Sequence, residues 1–538
     1  MTPEFVALVA QLRHDLTSAD YTEATVGRLL ALGAGRIDAS AALKRGHVTP
    51  ALRALHARSS AAAVLFRLFR LGDTVSSDEL AGALRRLGTA GAEALGLVQH
   101  GASGWRATLD ISPHAATDSV GSVDWWIVSD LGELATGAPV AEDHVLGVGG
   151  ASISLSRQLL ARASRRTLDL GCGSGVQALH ASRYSDFVVA TDISDRALWL
   201  AEFTCALNEV TNVEFRYGSL YEPVAGERFD AIASNPPFVI TPRDHDVPGY
   251  EYRDGGLVGD GVTKAVIRGA QAHLTVGGVA QMLGNWEYRT SPAAEGDPGQ
   301  LGDGLARVAA WLDDCPELDA WVIERERQDP SEYAETWIRD GGLRPGTSAF
   351  NSLHAAWLDD FERRGVEAVG FGYVLLRRRQ PGAPALRRFE TASGVLGEEG
   401  LAAHFAGVLD AVDSLVAAGA LAGSGGPGPD AVPDQDFALR GVYVERAEDV
   451  TEERHHWPGD EQPTVLLLRQ GGGFGRAISA SPALSGLVGA ADGELPVGVL
   501  NDAIAQLLEV DASELWAELA PEIRELVWCG MLRPIAGQ

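Results

Sequence analysis

Three short stretches carry residue types whose spacing could do chemistry. The first is Leu168-Asp169-Leu170-Gly171-Cys172-Gly173-Ser174-Gly175, an apolar run that breaks into alternating glycines. Glycine suits a turn where backbone must approach a nucleotide-like ligand, because a side chain would block the way. Dinucleotide-binding folds use a similar device with different spacing, so this turn alone does not name its ligand. The second is Asp192, which closes the next apolar run in Ala190-Thr191-Asp192-Ile193-Ser194. A carboxylate one strand–helix–strand unit after the glycines can accept hydrogen bonds from both hydroxyls of a ribose. Ser194 or Asp195 can cap the following helix, which leaves Asp192 free for a ligand. The third is Ser234-Asn235-Pro236-Pro237-Phe238. Two prolines stiffen the backbone and remove two N–H donors. Such a corner can present the Asn235 amide oxygen and the Pro236 carbonyl to the two hydrogens of one planar NH2 group. Holding both hydrogens turns the nitrogen lone pair out of the plane, toward an incoming group, and Phe238 can stack on the flat face. Orientation and desolvation, rather than acid–base strength, would then supply most of the rate.

In this order the three stretches resemble the class I methyltransferases that carry an (Asn/Asp)-Pro-Pro-(Tyr/Phe) motif. Residues 167–283 are most similar to the HemK-type protein-glutamine and the rRNA guanine-N2 methyltransferases. The resemblance implies S-adenosylmethionine as cofactor, S-adenosylhomocysteine as product, and methyl transfer to a planar nitrogen of a protein glutamine or a nucleobase. It implies that Asp169, Gly171, Gly173 and Gly175 contact the methionine and ribose parts, and that Asp192 binds the ribose hydroxyls. Asn235 with Pro236 falls where the family holds the target nitrogen, and Phe238 on the stacking aromatic. Tyr252-Arg253-Asp254-Gly255-Gly256 resembles the family's loop near substrate, and Gly147-Val148-Gly149-Gly150 the loop over the methionine end. One departure stands out. The family places an acidic residue after the third strand to bind the adenine amino group, whereas this chain reads Gly218-Ser219-Leu220-Tyr221. Ser219 and Leu220 are therefore the expected adenine neighbours, through weaker polar and apolar contacts. A small-molecule N-methyltransferase of a biosynthetic pathway is the alternative, and a non-catalytic scaffold is the third reading.

The elements that must position these residues follow from hydrophobic periodicity. Apolar runs at 167–170, 187–190, 213–217, 229–233, 278–283, 320–323 and 369–376 predict seven strands. Helical patterns at 195–208, 262–274, 305–312 and 349–363 separate several of them. This alternation predicts an α/β fold with a doubly wound, seven-stranded, Rossmann-like sheet. Before it, 1–58 reads as helices, and helices at 62–71, 77–87 and just before Gly96 lead to a hairpin over 97–111, a winged-helix-like order. The segment at the recognition-helix position, 89–95, holds no Arg or Lys, which favours packing or a protein partner over DNA. After it, a Pro/Gly linker at 380–384 opens a C-terminal α+β region. That region has a loop at 423–433, strands at 442–444 and 464–468, and helices at 500–508, 513–519 and 522–527. The expected domains are 1–120, 121–380 and 385–538.

Composition sets the bounds. The 538 residues exceed one ordinary core. No run reaches the ~18 apolar residues of a bilayer span, and the N-terminus lacks the pattern of a signal peptide. Four scattered Cys suit a reducing compartment, so a cytoplasmic protein is expected. The net charge of −29 disfavours non-specific binding of a phosphate backbone, without excluding a local basic groove. His455-His456 lacks a third ligand nearby, so no metal is expected there. The glycines at 471–475 lack the Lys-Ser/Thr of a phosphate loop, and Trp125-Trp126 reads as core.

Overall fold

A computed structural model describes the chain except for residues 34–36, 119, 244–246, 248, 291–302, 382–385, 393–400, 422–432 and 536–538. Part of the linker expected at 380–384 and nearly all of the loop expected at 423–433 therefore lie outside the described residues. The chain forms two compact units. The first comprises residues 1–156, 161–314 and 326–374, and the second comprises 157–160, 315–325 and 375–538.

The glycine turn and the Asn-Pro-Pro corner sit on one mixed-order sheet. Its strands are β1 (Ser164–Leu170), β2 (Ser185–Asp192), β3 (Val213–Tyr217), β4 (Phe229–Ser234), β5 (Leu274–Arg289), β6 (Leu318–Gln328), β7 (Val366–Arg378) and β8 (Arg387–Thr391). They hydrogen-bond in the order β8-β6-β7-β5-β4-β1-β2-β3. β1 pairs in parallel with β2 and β4, β2 with β3, β4 with β5, and β6 with β8. The strand order reverses at β1, so β2 and β4 flank it and their C-terminal ends open a crevice there, the usual ligand position in such sheets. All seven expected strands are present, but the expected count is corrected to eight. The eighth, Arg387–Thr391, hides behind its charges: Arg388 pairs with Glu390 at 2.9 Å and with Glu525 at 2.6 Å. In sequence that arginine pair looks like a solvated run, and the neighbouring Pro/Gly stretch reads as the end of the domain.

Within the first unit, the N-terminal helices share a core with the helix Asp195–Leu207 that follows β2. Phe5 packs edge-on against Phe203 at 5.0 Å and Trp199 at 6.2 Å. Ser76 and Glu79 form a capping box that starts the helix Ser77–Ala83, which ends short of the expected residue 87. The expected hairpin is present as Val98–Gly101 with Gly104–Ala107. A second, longer hairpin follows, Leu109–Asp118 with Gly121–Asp130, and it straddles the boundary expected at residue 120. Trp125, on that hairpin, is buried against the helix Val176–Ser182 that follows the glycine turn.

In the second unit, Trp321 is ringed by His404, Phe405, Phe474 and Trp528. Phe474 anchors the glycine turn at 471–475, which is thus a structural turn, and Gly472 N–H donates to Asp449 at 2.7 Å. The two helices expected at 513–519 and 522–527 are one, Ala512–Trp528, with Pro521 inside. Proline removes one helical hydrogen bond. Buried Trp516, Leu519, Ile523 and Leu526 on both sides of it hold the two halves on one core. Among the described residues no helix is long and apolar enough to cross a membrane.

Candidate active site

The glycine turn leaves β1 in a conformation that demands glycine: φ is 76° at Gly171 and 51° at Gly173. The N–H groups of Gly171 and Cys172 both donate to the Thr191 carbonyl at 2.9 Å. The Gly173 N–H donates to the Asp192 carboxylate at 2.9 Å. Nothing lies within 4 Å of where a Cβ on Gly171 or Gly173 would sit, so both offer bare backbone to open space. Gly175 differs. Its φ is 85°, and a Cβ there would lie 3.1 Å from the Ala201 Cβ, so this glycine serves close helix packing.

Asp192 closes β2 and also receives the Ser194 N–H at 3.0 Å, while Ser194 caps the next helix. Burial raises the Asp192 pKa, against the pull of the Gly173, Ser194 and Ile193 N–H groups. Beside it, the Gly218 N–H donates to the Asp192 carbonyl at 2.9 Å. Leu220 then takes a left-handed backbone, φ 47°, uncommon outside glycine and stored strain of about 1 kcal/mol or more.

The Asn-Pro-Pro corner is fixed from both sides. The Ser234 hydroxyl donates to the Leu170 carbonyl at 2.8 Å, tying the end of β4 to the end of β1. The Gly255 N–H donates to the Pro237 carbonyl at 3.1 Å and the Val239 N–H to the Arg253 carbonyl at 2.8 Å. Ile240 N–H donates to the Tyr333 hydroxyl at 3.0 Å, from a helix, Pro330–Asp340, with no counterpart in the sequence expectation. Arg253 donates to Asp340 at 2.8 Å and to the Trp337 carbonyl at 2.6 Å, and its guanidinium lies 4.4 Å from the Tyr250 ring.

These elements enclose a cavity of about 250 Å³. Gly171, Gly173, Asp192, Ser219, Leu220, Asn235 and Pro236 all line it. Three expected residues do not. Asp169 is fully buried below the turn, and burial outweighs the pull of the Ala178 N–H to push its pKa up to about 7. Gly175 packs against Ala201. Phe238 is buried against Phe371 at 5.4 Å and Trp337 at 6.3 Å, so its ring supports the corner from behind. Residues 143–147 and Glu251, Tyr252, Gly255 and Leu257 complete the wall; of the two loops singled out in sequence, Gly147 of the first and Tyr252 and Gly255 of the second line it.

Gln177 and His144 also line the cavity, with polar groups that the sequence reading did not single out. Gln177 is 4% exposed; its amide N–H donates to the Ser152 carbonyl at 2.9 Å, while its amide oxygen has no partner. A polar residue amid Val176, Ala178 and Leu179 was the available signal. His144 is buried 5.9 Å from the Tyr252 ring, and burial lowers its pKa, so it is neutral at physiological pH. The Asn235 amide oxygen is buried and also lacks a partner. Among the described residues no group of three His, Cys, Asp or Glu is placed to hold a metal ion.

Comparison with known proteins agrees with this geometry. Residues 147–296 match the family described as methyltransferase small domain, and residues 18–108 match a domain of unknown function (DUF7059). The chain is 34% identical to a release factor glutamine methyltransferase of Xylella fastidiosa, over 31% of this chain and 62% of that protein. It is 29% identical to a ribosomal RNA small subunit methyltransferase C of Erwinia tasmaniensis, over 32% of this chain and 47% of that protein. It is 33% identical to a protein of Methanocaldococcus jannaschii provisionally named protein N5-glutamine methyltransferase, over 24% of this chain and 68% of that protein. The chain thus spans 62% of the length of the first of these relatives, and more than half of it lies outside each match. Through the residues around the glycine turn and the Asn-Pro-Pro corner, the chain belongs to the methyltransferase small domain family.

Proposed function

We propose that the chain methylates a planar nitrogen, a protein glutamine amide or the exocyclic amine of a nucleobase, with S-adenosylmethionine as donor. The observation that carries this reading is Asn235 on the wall of the cavity that also holds the bare glycines and Asp192, its amide oxygen buried and partnerless. The residues fit the cofactor: Gly171 and Gly173 leave room for it, Asp192 can accept from its ribose, and Ser219 and Leu220 can border its adenine. When bound, the cofactor supplies an electrophilic methyl group on a sulfonium. The protein's own contribution is orientation. Asn235 and Pro236 accept the two hydrogens of the target NH2, which aims its lone pair out of the plane. The stiff corner holds that geometry without reorganising.

Asn235→Ala should lower turnover at least 100-fold while calorimetric affinity for S-adenosylhomocysteine stays within a few-fold. Full activity in this variant would remove Asn235 from the mechanism. The acceptor itself is found by labelling an extract with methyl-labelled cofactor and digesting the product to amino acids and nucleosides. The relatives' names concern protein and rRNA, so they lend nothing to a small-molecule acceptor. In this reading the helical, winged-helix-like 1–120 and the α+β 385–538 flank a methyltransferase domain at 121–380, with a hairpin bridging the first boundary. A cytoplasmic setting is part of the proposal, supported by four free, buried cysteines.

A further inference from the structure

The charge of this chain is unevenly placed. The whole carries −29, yet residues 18–108 hold eleven Arg and Lys against seven Asp and Glu. From 39 to 72 there is no carboxylate at all. Such asymmetry points to a polyanionic partner.

The structure shows which of these cations are free. Arg67 is buried and paired with Asp73 and Glu79, and Arg70 pairs with Asp110. Those inner pairs, with His56 on Asp73 and Arg28 on Asp20, consume several of the local acids. Glu23 receives the Ala115 N–H, and Asp38 caps the helix Ala39–Lys44. The exposed acids left in the stretch without a cationic partner are Glu23, Asp38, Asp78 and Glu93. Against them stand Lys44, Arg45, Arg53, Arg85, Arg86 and Arg106, all exposed and none within ion-pair distance of a carboxylate among the described residues. Elsewhere in the chain several exposed arginines are paired, as Arg339, Arg454 and Arg469 are. The six cations sit on or beside elements that pack around one buried helix, Ala61–Leu71. The helices Thr49–His56 and Ser77–Ala83 and the strand Gly104–Ala107 rest on that helix, and Ala39–Lys44 rests on Thr49–His56.

We infer that this N-terminal face is a docking surface for folded RNA. At physiological salt the screening length is about 8 Å, so the acidity of the rest of the chain is largely screened from a ligand on this face. The cations are spread over several elements, which suits a phosphate backbone. A DNA-reading module would need donors on an element that enters the major groove. The helix in the recognition position, Gly88–Ala94, has no Arg or Lys and exposes Glu93. Backbone and shape recognition without such an element is the mode by which proteins grip structured RNA. This surface is separate from the cavity, and its test does not depend on methyl transfer.

The test measures anisotropy of a fluorescein-labelled RNA stem-loop with the full chain at 50 and 200 mM NaCl. Two variants are compared with wild type: Lys44→Gln/Arg45→Gln/Arg53→Gln and Arg85→Gln/Arg86→Gln/Arg106→Gln. A third, Arg339→Gln/Arg454→Gln/Arg469→Gln, removes the same charge elsewhere. Wild type should bind at 50 mM NaCl and weaken steeply with salt. Each N-terminal variant should lose about tenfold or more and flatten the salt slope by up to about 2–3 units, near one per lost phosphate contact. The matched control should change less than twofold, and all variants should keep calorimetric affinity for S-adenosylhomocysteine, a readout of intact fold. The inference is overturned by no wild-type binding at 50 mM NaCl, or by N-terminal variants that behave like the control. Tighter binding of duplex DNA of equal length overturns it too. So does equal competition by polyglutamate, which would assign the face to an acidic protein.

Discussion

Asp169 and Asp192 end neighbouring strands and meet opposite surroundings. Asp192 lies at the cavity with two N–H donors within 3.0 Å, whereas Asp169 is enclosed, and neither of its oxygens is in hydrogen-bond geometry. Its pKa, pushed up to about 7, has a stability consequence. Between roughly pH 4 and 7 the folded chain keeps a proton that the unfolded chain, with an ordinary aspartate value of about 3.9, has released. Stability from this group is therefore complete below the lower value and lost as pH rises through the upper one. Asp169→Asn cannot ionise, so the difference in melting temperature between variant and wild type should grow from pH 5 to pH 8. On the order of a few kcal/mol is at stake if the full shift is expressed. Melting curves of the cofactor-free chain check this; parallel pH profiles for the two proteins would refute the shift. The same pair shows the limit of reading residues in sequence. Glycine spacing locates the turn, but which of Gly171, Gly173 and Gly175 faces a ligand depends on Ala201, 26 positions further along. Phe238 likewise carries the right residue type, and only Trp337 and Phe371 reveal that its ring faces inward.

Strands announced by apolar runs and the helices between them were legible because periodicity and caps act locally. The helix Pro330–Asp340 was missed, although its presence was marked by an Asp329 cap, proline at its start, and Tyr333, Ala334, Trp337 and Ile338 on one face. Its function was not legible, because that rests on contacts with Ile240 and Arg253, more than 80 positions earlier. This helix braces the corner. The Tyr333 hydroxyl receives Ile240 N–H and is hydrogen-bonded to the fully buried Asn285 amide. Tyr333→Phe keeps the ring and leaves a buried N–H unsatisfied, a loss of about 1–3 kcal/mol. Ile240 is two residues beyond Phe238, so the slackened corner should present Asn235 less well. Turnover should fall about tenfold, with affinity for S-adenosylhomocysteine unchanged within twofold. An equal loss in both would mean that the helix supports the cofactor wall instead. Strand Arg387–Thr391 is the opposite case: its partners are distant, since Arg388 is neutralised by Glu525, more than 130 positions away, and Arg387 donates to the Cys315 carbonyl.

At the scale of the whole molecule, the net charge of −29 and the many ion pairs respond to salt in opposite directions. Self-repulsion among the excess carboxylates acts over tens of ångströms and destabilises the compact state. Raising ionic strength from about 0.01 to 0.1 M shortens the screening length from roughly 30 to 10 Å and removes most of that repulsion. The ion pairs act over less than 4 Å. Several are sheltered, such as Arg388 with Glu390, at 12% and 13% side-chain exposure, and Arg377 with Asp319, at 11% and 8%. Screening barely reaches those, and exposed pairs contribute at most about 1 kcal/mol each. The long-range term should therefore win. The melting temperature should rise as NaCl goes from 10 to 200 mM, and sulfate is avoided because it stabilises by exclusion as well. A fall over that range would show that surface ion pairs outweigh self-repulsion. The same addition of salt should weaken RNA on the N-terminal face, so stability and RNA affinity of one preparation are expected to move in opposite senses. That opposition separates a local cationic surface from a general response of the protein's charge.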